Sequence, residues 1–195
     1  MSGQDAPDAV ITNGIIRNAA GERFSIPDPA AVEQDPLGAL MEANWLLPGA
    51  ALFRAGAIGE DVFADTPRFL EWTYIALLLA SRHRIALLPE STIVHYEGHA
   101  FSVDRSRECA LGRPLAFEAA LQLDLPRAVK RRLRTKRSAA WHTAAQAARL
   151  ASDPAAAWAA HLRSLAGPGG WRYVSYTRYL LGLAGRRRGD SRKPG

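Results

Sequence analysis

The residues of this chain best suited to chemistry are a carboxylate and an indole, Glu71 and Trp72, which stand just ahead of a long apolar run. The pattern predicts a helix over residues 65–83, capped by Asp65 or Thr66, with Glu71 about five residues inside it. A carboxylate beside an indole can have a raised pKa and act as a general base, and Trp72 offers a flat wall for a ring. The alternative is a glutamate near the helix start that interacts favourably with the helix dipole.

A second candidate is a pair of histidines, His95 and His99, near the end of a predicted strand. Side chains at such strand ends commonly bind ligands in α/β folds, so this pair could bind phosphate oxygens or a divalent metal. Their spacing resembles a zinc pair on a helix, but the local pattern is strand and then turn, and no third ligand is evident. The alternative is two surface histidines.

The other candidate groups are weaker. Glu60, Asp61 and Asp65 could hold a hard cation, although a solvated acidic loop is the commoner meaning of such a cluster. Phosphate-loop, dinucleotide-binding and nucleophile-elbow patterns do not occur in the sequence. The one cysteine, Cys109, excludes an internal disulfide and a multi-cysteine zinc site, and we interpret it as a small helix residue in a reducing cytoplasm.

Charge is divided unevenly along the 195 residues. Up to residue 125 the sequence has 9 basic and 17 acidic residues, and from residue 126 onward it has 16 basic and 2 acidic residues. Seven of these cations lie between Arg127 and Arg137, and further arginines alternate with aromatic residues after residue 170. Such asymmetry indicates an anionic partner for the second part, either nucleic acid, a membrane surface or substrate phosphates. A solvated helical face is the alternative.

Hydrophobic periodicity predicts an α/β region followed by a helical, alanine-rich region. AVITNGII is typical of a hairpin with its turn at Asn13–Gly14. A strand is predicted over 50–54, and a strand, a turn at Pro89–Glu90 and a second strand follow the central helix, which should be buried from Ile75 to Leu79. Later helices are predicted over 114–123, 126–150, 153–165 and 171–184.

Three stretches occur in an order that resembles a known family. They are NWLLPGAALFRAGAIGEDVF, then LEW opening a helix, then HRIALLPESTIVHYEGHAFS. Over roughly residues 8–184, this order resembles the C-terminal half of a family 2 glycosyltransferase with a GT-A fold. The resemblance implies an α/β fold with a partial GT-A-like (Rossmann-like) sheet and a C-terminal helical extension. The implied domains are 1–104 for the acceptor-side half, 105–185 for a basic helical tail, and 186–195 for a disordered tail.

The resemblance also implies site residues. Glu71 would be the catalytic base, where the family usually has aspartate, and the substrate-binding residues would be Asn44, Trp45, Trp72 and His99. Glu97 and Leu77 stand where the family often has arginine. The family's Asp-x-Asp motif, expected before residue 8, is not seen, so we expect Mg²⁺ or Mn²⁺ only if a half carrying that motif is supplied; no residue of this chain is assigned as a metal ligand.

The expected function is inverting transfer of a sugar from a nucleotide-sugar donor to a glycan or lipid-linked acceptor, as in polysaccharide biosynthesis, by a truncated chain that lacks the nucleotide-binding half. Neither a signal peptide nor a membrane-spanning run is evident, so we expect a cytoplasmic protein, peripheral at the inner membrane face through its basic tail. An oligomer or partner subunit would cover an exposed sheet edge. The alternative is a non-catalytic basic module that binds anionic membrane or nucleic acid.

Overall fold

The computed structural model describes residues 6–97 and 106–181, which form two compact units. The N-terminal unit comprises Met1–Ser102 with Gln122–Val129, and the C-terminal unit comprises Val103–Leu121 with Lys130–Gly195. The first unit combines a sheet with helices and the second is helical, so the expected α/β class is confirmed. The tail predicted over 186–195 lies outside the described residues. No helix among the described residues is long and apolar enough to cross a membrane.

The sheet of the N-terminal unit is built around one long strand. This strand, β1 (Ala9–Asn18), pairs antiparallel with β2 (Gly21–Phe24) and β3 (Ala51–Phe53), and parallel with β4 (Ile85–Tyr96). Both short strands lie along the same side of β1, at its opposite ends, and β4 follows its other side. The sheet is therefore mixed and small.

The hairpin predicted at Asn13–Gly14 is wrong, because both residues lie inside β1. Asn13 is buried, and its Nδ2 donates to the Ile26 carbonyl (2.8 Å) while its Oδ1 accepts from the Ile26 N–H (3.0 Å). Gly14 is required for another reason, since a Cβ there would lie 2.9 Å from Leu47 and 3.1 Å from Ile93. Contacts with distant segments thus keep Asn13–Gly14 in a strand, although this pair by itself is typical of a hairpin turn.

Replacing Asn13 with leucine should destabilise the protein by about 3 kcal/mol, because buried partners of the amide would lose their hydrogen bonds. These partners include the Ser25 hydroxyl, which donates to Asn13 Oδ1 at 3.0 Å. The check is urea unfolding. The control is Asn18→Ala, whose side chain accepts one exposed hydrogen bond from the Ala20 N–H and should cost under about 1 kcal/mol. If Asn13→Leu and Asn18→Ala lost equal free energy of unfolding, the hydrogen bonds of Asn13 would not be the important ones.

The turn predicted at Pro89–Glu90 is also wrong, since both residues lie within β4. The pairing register with β1 shifts here: Thr12 lies opposite Leu88 and Asn13 lies opposite Ser91, so Pro89 and Glu90 have no partner. A proline is tolerated at such an irregularity because no ladder hydrogen bond needs its missing N–H. After the irregularity the burial alternates along β4, because Ile93 and His95 are half-buried and their neighbours are exposed.

Four helices of this unit pack against one another and against β4. Two short helices, α1 (Pro29–Gln34) and α2 (Pro36–Glu42), each begin with proline after an aspartate that accepts a backbone N–H of the first turn. A single turn, α3 (Asp61–Ala64), precedes α4 (Glu71–Arg82), which packs against α2 and α3. The predicted burial of α4 is confirmed, because all five residues from Ile75 to Leu79 are buried.

The start of α4 differs from the prediction. The helix begins at Glu71 rather than near Asp65, and Phe69 has a φ of 72°, a left-handed conformation that cannot continue a right-handed helix. Thr66, predicted as a cap, instead donates its hydroxyl to the Phe63 carbonyl (3.3 Å). Leu70 occupies the N-cap position of α4, and its side chain is buried in the core. Glu71 is therefore the first residue of the helix and not the fifth.

The C-terminal unit holds helix α5 (Arg107–Gln122), most of α6 (Arg127–Leu150), α7 (Pro154–Leu165) and a 3₁₀ segment, Gly170–Tyr176, which continues as α-helix to residue 181. Helix α5 begins earlier than predicted, with Pro114 inside it, because the Ser106 hydroxyl accepts the Cys109 N–H at the start. Small alanines from α6 and α7 pack around the larger apolar side chains of the core, which consists of Trp141, Ala144, Ala145, Ala148, Ala157, Ala160, Tyr176 and Leu180.

Candidate functional site

The predicted base, Glu71, lies in the first turn of α4, two residues after the left-handed Phe69. It is half-buried, and no side chain caps this helix end, so the carboxylate supplies the negative charge that the positive end of the helix dipole favours. Trp72 is half-buried as well. Consecutive residues of a helix do not face each other, so the indole and the carboxylate diverge although they adjoin in sequence.

The predicted substrate-binding pair, Asn44 and Trp45, lies in the loop before β3. Asn44 Oδ1 accepts the Leu46 N–H (3.1 Å) and so closes a tight turn. Trp45 is only 2% exposed, and its indole N–H donates to the Pro36 carbonyl (2.9 Å). In this structure Trp45 is a core residue that joins its loop to the start of α2.

One pocket of the N-terminal unit has Trp45 in its wall. Its volume is about 220 Å³, and it lies among α1, α2 and residues 25–28. Its lining is almost entirely apolar, with two carboxylates, Asp28 and Glu42, of which Asp28 already caps α1. Neither Glu71 nor Trp72 contributes to this lining. The pocket suits an apolar ring, but the structure does not place the predicted base in it.

The histidine pair is described only in part. His95 lies half-buried near the end of β4, opposite Ile16 of β1, and His99 lies outside the described residues. Among residues 6–97 and 106–181, no group of three or more His, Cys, Asp or Glu side chains could hold a metal ion.

The sequence reasoning missed a carboxylate that joins three elements, Asp8. It accepts the Arg84 backbone N–H (3.0 Å) and the Arg54 guanidinium, and His83 Nδ1 lies 3.7 Å from it. The Arg84 hydrogen bond, followed by that from Arg54, lowers the pKa of Asp8. These partners are 46 and 76 residues away in sequence, so no local spacing could have revealed the cluster.

A second missed feature is a pair of imidazoles in the C-terminal unit, His142 and His161. His161 is 0% exposed, and its Nε2 lies 2.9 Å from the Thr177 hydroxyl. His142 stacks on Tyr173 with 4.2 Å between ring centroids, and Tyr176 meets both imidazole rings edge-on. Burial lowers the pKa of each histidine, and the positive charge of His161 lowers that of His142 further.

The helical unit also contains a pocket of about 270 Å³ between α5 and α6. Phe117 and two alanines of α6 supply apolar walls, and Arg113, Lys136 and Thr143 supply polar groups. Its chemistry suits a small anion that carries an apolar group, because it combines two cations with an apolar wall.

Comparisons with protein-family models, curated proteins and solved structures found no match to this chain. The likeness to a glycosyltransferase therefore depends on the order of its sequence stretches alone.

Proposed function

We propose that this chain is a glycosyltransferase-like protein of the inverting family 2 type, acting on a nucleotide-sugar donor and a glycan or lipid-linked acceptor. The observation that carries the proposal is the position of Glu71, a half-buried carboxylate at the start of α4, reached through the left-handed Phe69. Strained backbone is enriched at functional sites, and a carboxylate on a rigid helix end is well held for proton transfer. The ordered stretches around it supply the family resemblance.

In the proposed reaction Glu71 accepts the proton of an acceptor hydroxyl. The hydroxyl oxygen attacks the anomeric carbon as the bond to the nucleoside diphosphate breaks, and the diphosphate leaves with the electron pair. Attack from the opposite side inverts the sugar configuration. The half-buried Trp72 and Asn44 are proposed to contact substrate. Trp45 is proposed to shape its surroundings from the core. No step is assigned to a metal, because the described residues supply no ligand cluster.

The test measures nucleoside diphosphate release from a panel of nucleotide sugars, with Mg²⁺ or Mn²⁺ and lipid-phosphate or oligosaccharide acceptors present. Glu71→Gln should lower acceptor-dependent release at least about 100-fold, because the amide cannot accept the proton. Its melting temperature should change little, since a first-turn charge contributes only about 0.3–1 kcal/mol.

The matched control is Glu90→Gln, an exposed glutamate of β4 that should leave release unchanged. Glu71→Asp, which restores the residue usual in the family, should retain activity. Release that does not differ between wild type and Glu71→Gln would remove Glu71 from the mechanism. If no donor is consumed under any condition, the enzymatic proposal fails.

A further inference from the structure

The last described segment turns apolar side chains toward solvent. Trp171 is 74% exposed, Val174 56% and Leu181 59%, although all three are large and apolar. Together with Arg178 they recur at intervals of three or four residues, which places them on one side of a helical segment. We name these four residues the outward stripe.

The opposite side of the same segment fixes this orientation. Tyr176 and Leu180 are buried in the core of the C-terminal unit with Trp141. The Tyr176 hydroxyl accepts a hydrogen bond from Arg149 Nε (3.0 Å), and Thr177 contacts His161. Because these contacts anchor the segment, it cannot rotate to bury the outward stripe without losing them.

The charged residues near the outward stripe in sequence are all arginines. Between residues 154 and 189 the sequence has no aspartate or glutamate, whereas arginine occurs six times. Arg172 lies over the Trp171 ring, 5.7 Å from its centroid, and Arg178 lies 4.9 Å from the centroid of Tyr179. Aromatic rings flanked by arginines are typical of segments that lie in the headgroup region of a bilayer.

We propose that the outward stripe is a docking surface for an anionic phospholipid bilayer. Trp171, Val174 and Leu181 enter the boundary between headgroups and acyl chains, while Arg172 and Arg178 contact lipid phosphates. The exposed aliphatic side chains favour a bilayer over nucleic acid, because neither valine nor leucine gains from phosphates or stacked bases. The absence of aspartate and glutamate from residues 154–189 favours an anionic surface over a zwitterionic one. The inference is independent of any sugar transfer.

The experiment is co-sedimentation of the full chain with vesicles of phosphatidylcholine alone or mixed with phosphatidylglycerol in equal parts. Binding should occur to the anionic vesicles and weaken as salt is raised. Trp171→Ser combined with Leu181→Ser should lower partitioning at least about tenfold, since apolar insertion is lost. Arg178→Gln alone should lower it about fivefold.

The matched control is Leu150→Ser, because Leu150 is a comparably exposed apolar residue (76%) at the end of α6, away from the outward stripe in sequence. Its partitioning should equal that of the wild type. Circular dichroism verifies that each variant folds. Folding is expected because the replaced side chains are exposed.

Three results would overturn the proposal: no binding to anionic vesicles, equal binding by the stripe variants and the wild type, or Trp171-dependent binding of single-stranded DNA without vesicle binding. Vesicle binding and nucleoside diphosphate release are separate measurements, so failure of one proposal is distinguishable from failure of the other.

Discussion

Replacing Trp45 with alanine is expected to destabilise the N-terminal unit by about 3–5 kcal/mol, a large part of the stability of an ordinary domain. The indole is 2% exposed and its N–H donates to the Pro36 carbonyl. Alanine would therefore leave a cavity and remove the hydrogen bond from the indole to the Pro36 carbonyl. The measurement is urea unfolding followed by circular dichroism.

The matched control for Trp45 is Trp72→Ala. Trp72 is half-buried and should lose clearly less stability on truncation, since less apolar surface is removed from a packed site. The free energy of unfolding of Trp45→Phe should lie between those of these two variants, because phenylalanine keeps a ring but loses the hydrogen bond. If Trp45→Ala were as stable as the wild type, the indole would not be a core residue, and a role in binding substrate would gain support.

Lowering the pH from about 7.5 to 5 is expected to destabilise the C-terminal unit through His142 and His161. Burial lowers the pKa of both histidines in the folded protein below the ordinary value of 6.5. As the pH falls through 6.5, the histidines of the unfolded chain therefore bind protons before those of the folded chain. The free energy of unfolding decreases from there down to the pKa of the folded protein, below which it falls no further through these groups.

Thermal unfolding of the full chain across this pH range checks the expectation. His161→Phe should flatten the fall in melting temperature, because phenylalanine keeps a ring among Trp158 and Tyr176 but cannot be protonated. His95→Gln removes a histidine of the other unit and should leave the fall of the C-terminal transition unchanged. A pH profile of His161→Phe that matches the wild type would show that other groups cause the acid sensitivity.

The sequence alone determined the fold class and the buried helix. The apolar run from Ile75 to Leu79 favours a helix surrounded by other elements, and alanine-rich stretches favour helices through their intrinsic propensity. Both patterns depend only on residues that are close in sequence, and the structure has helices where they predict them. Glu71 was singled out from its sequence neighbours, Trp72 and the apolar run, and its catalytic role stays a prediction.

The exact ends of elements required the tertiary structure. Asn13–Gly14 reads locally as a turn, but hydrogen bonds from Asn13 to Ile26 and the close packing of Gly14 keep the pair within a strand. Likewise, Asp65 and Thr66 are acceptable caps, but burial of Leu70 and the left-handed Phe69 start the helix later. In both cases contacts outside the local pattern outweighed a local preference of about 1 kcal/mol.

The surroundings of the candidate site residues were likewise decided only in three dimensions. Trp45 resembles an exposed loop aromatic in sequence, and the folded chain buries it. His142 and His161 are separated by 19 positions, so their shared aromatic surroundings become visible only when α6 and α7 pack together. The sequence specifies which side chains are present and their local periodicity, whereas burial and partners depend on contacts between distant segments, which form only on folding.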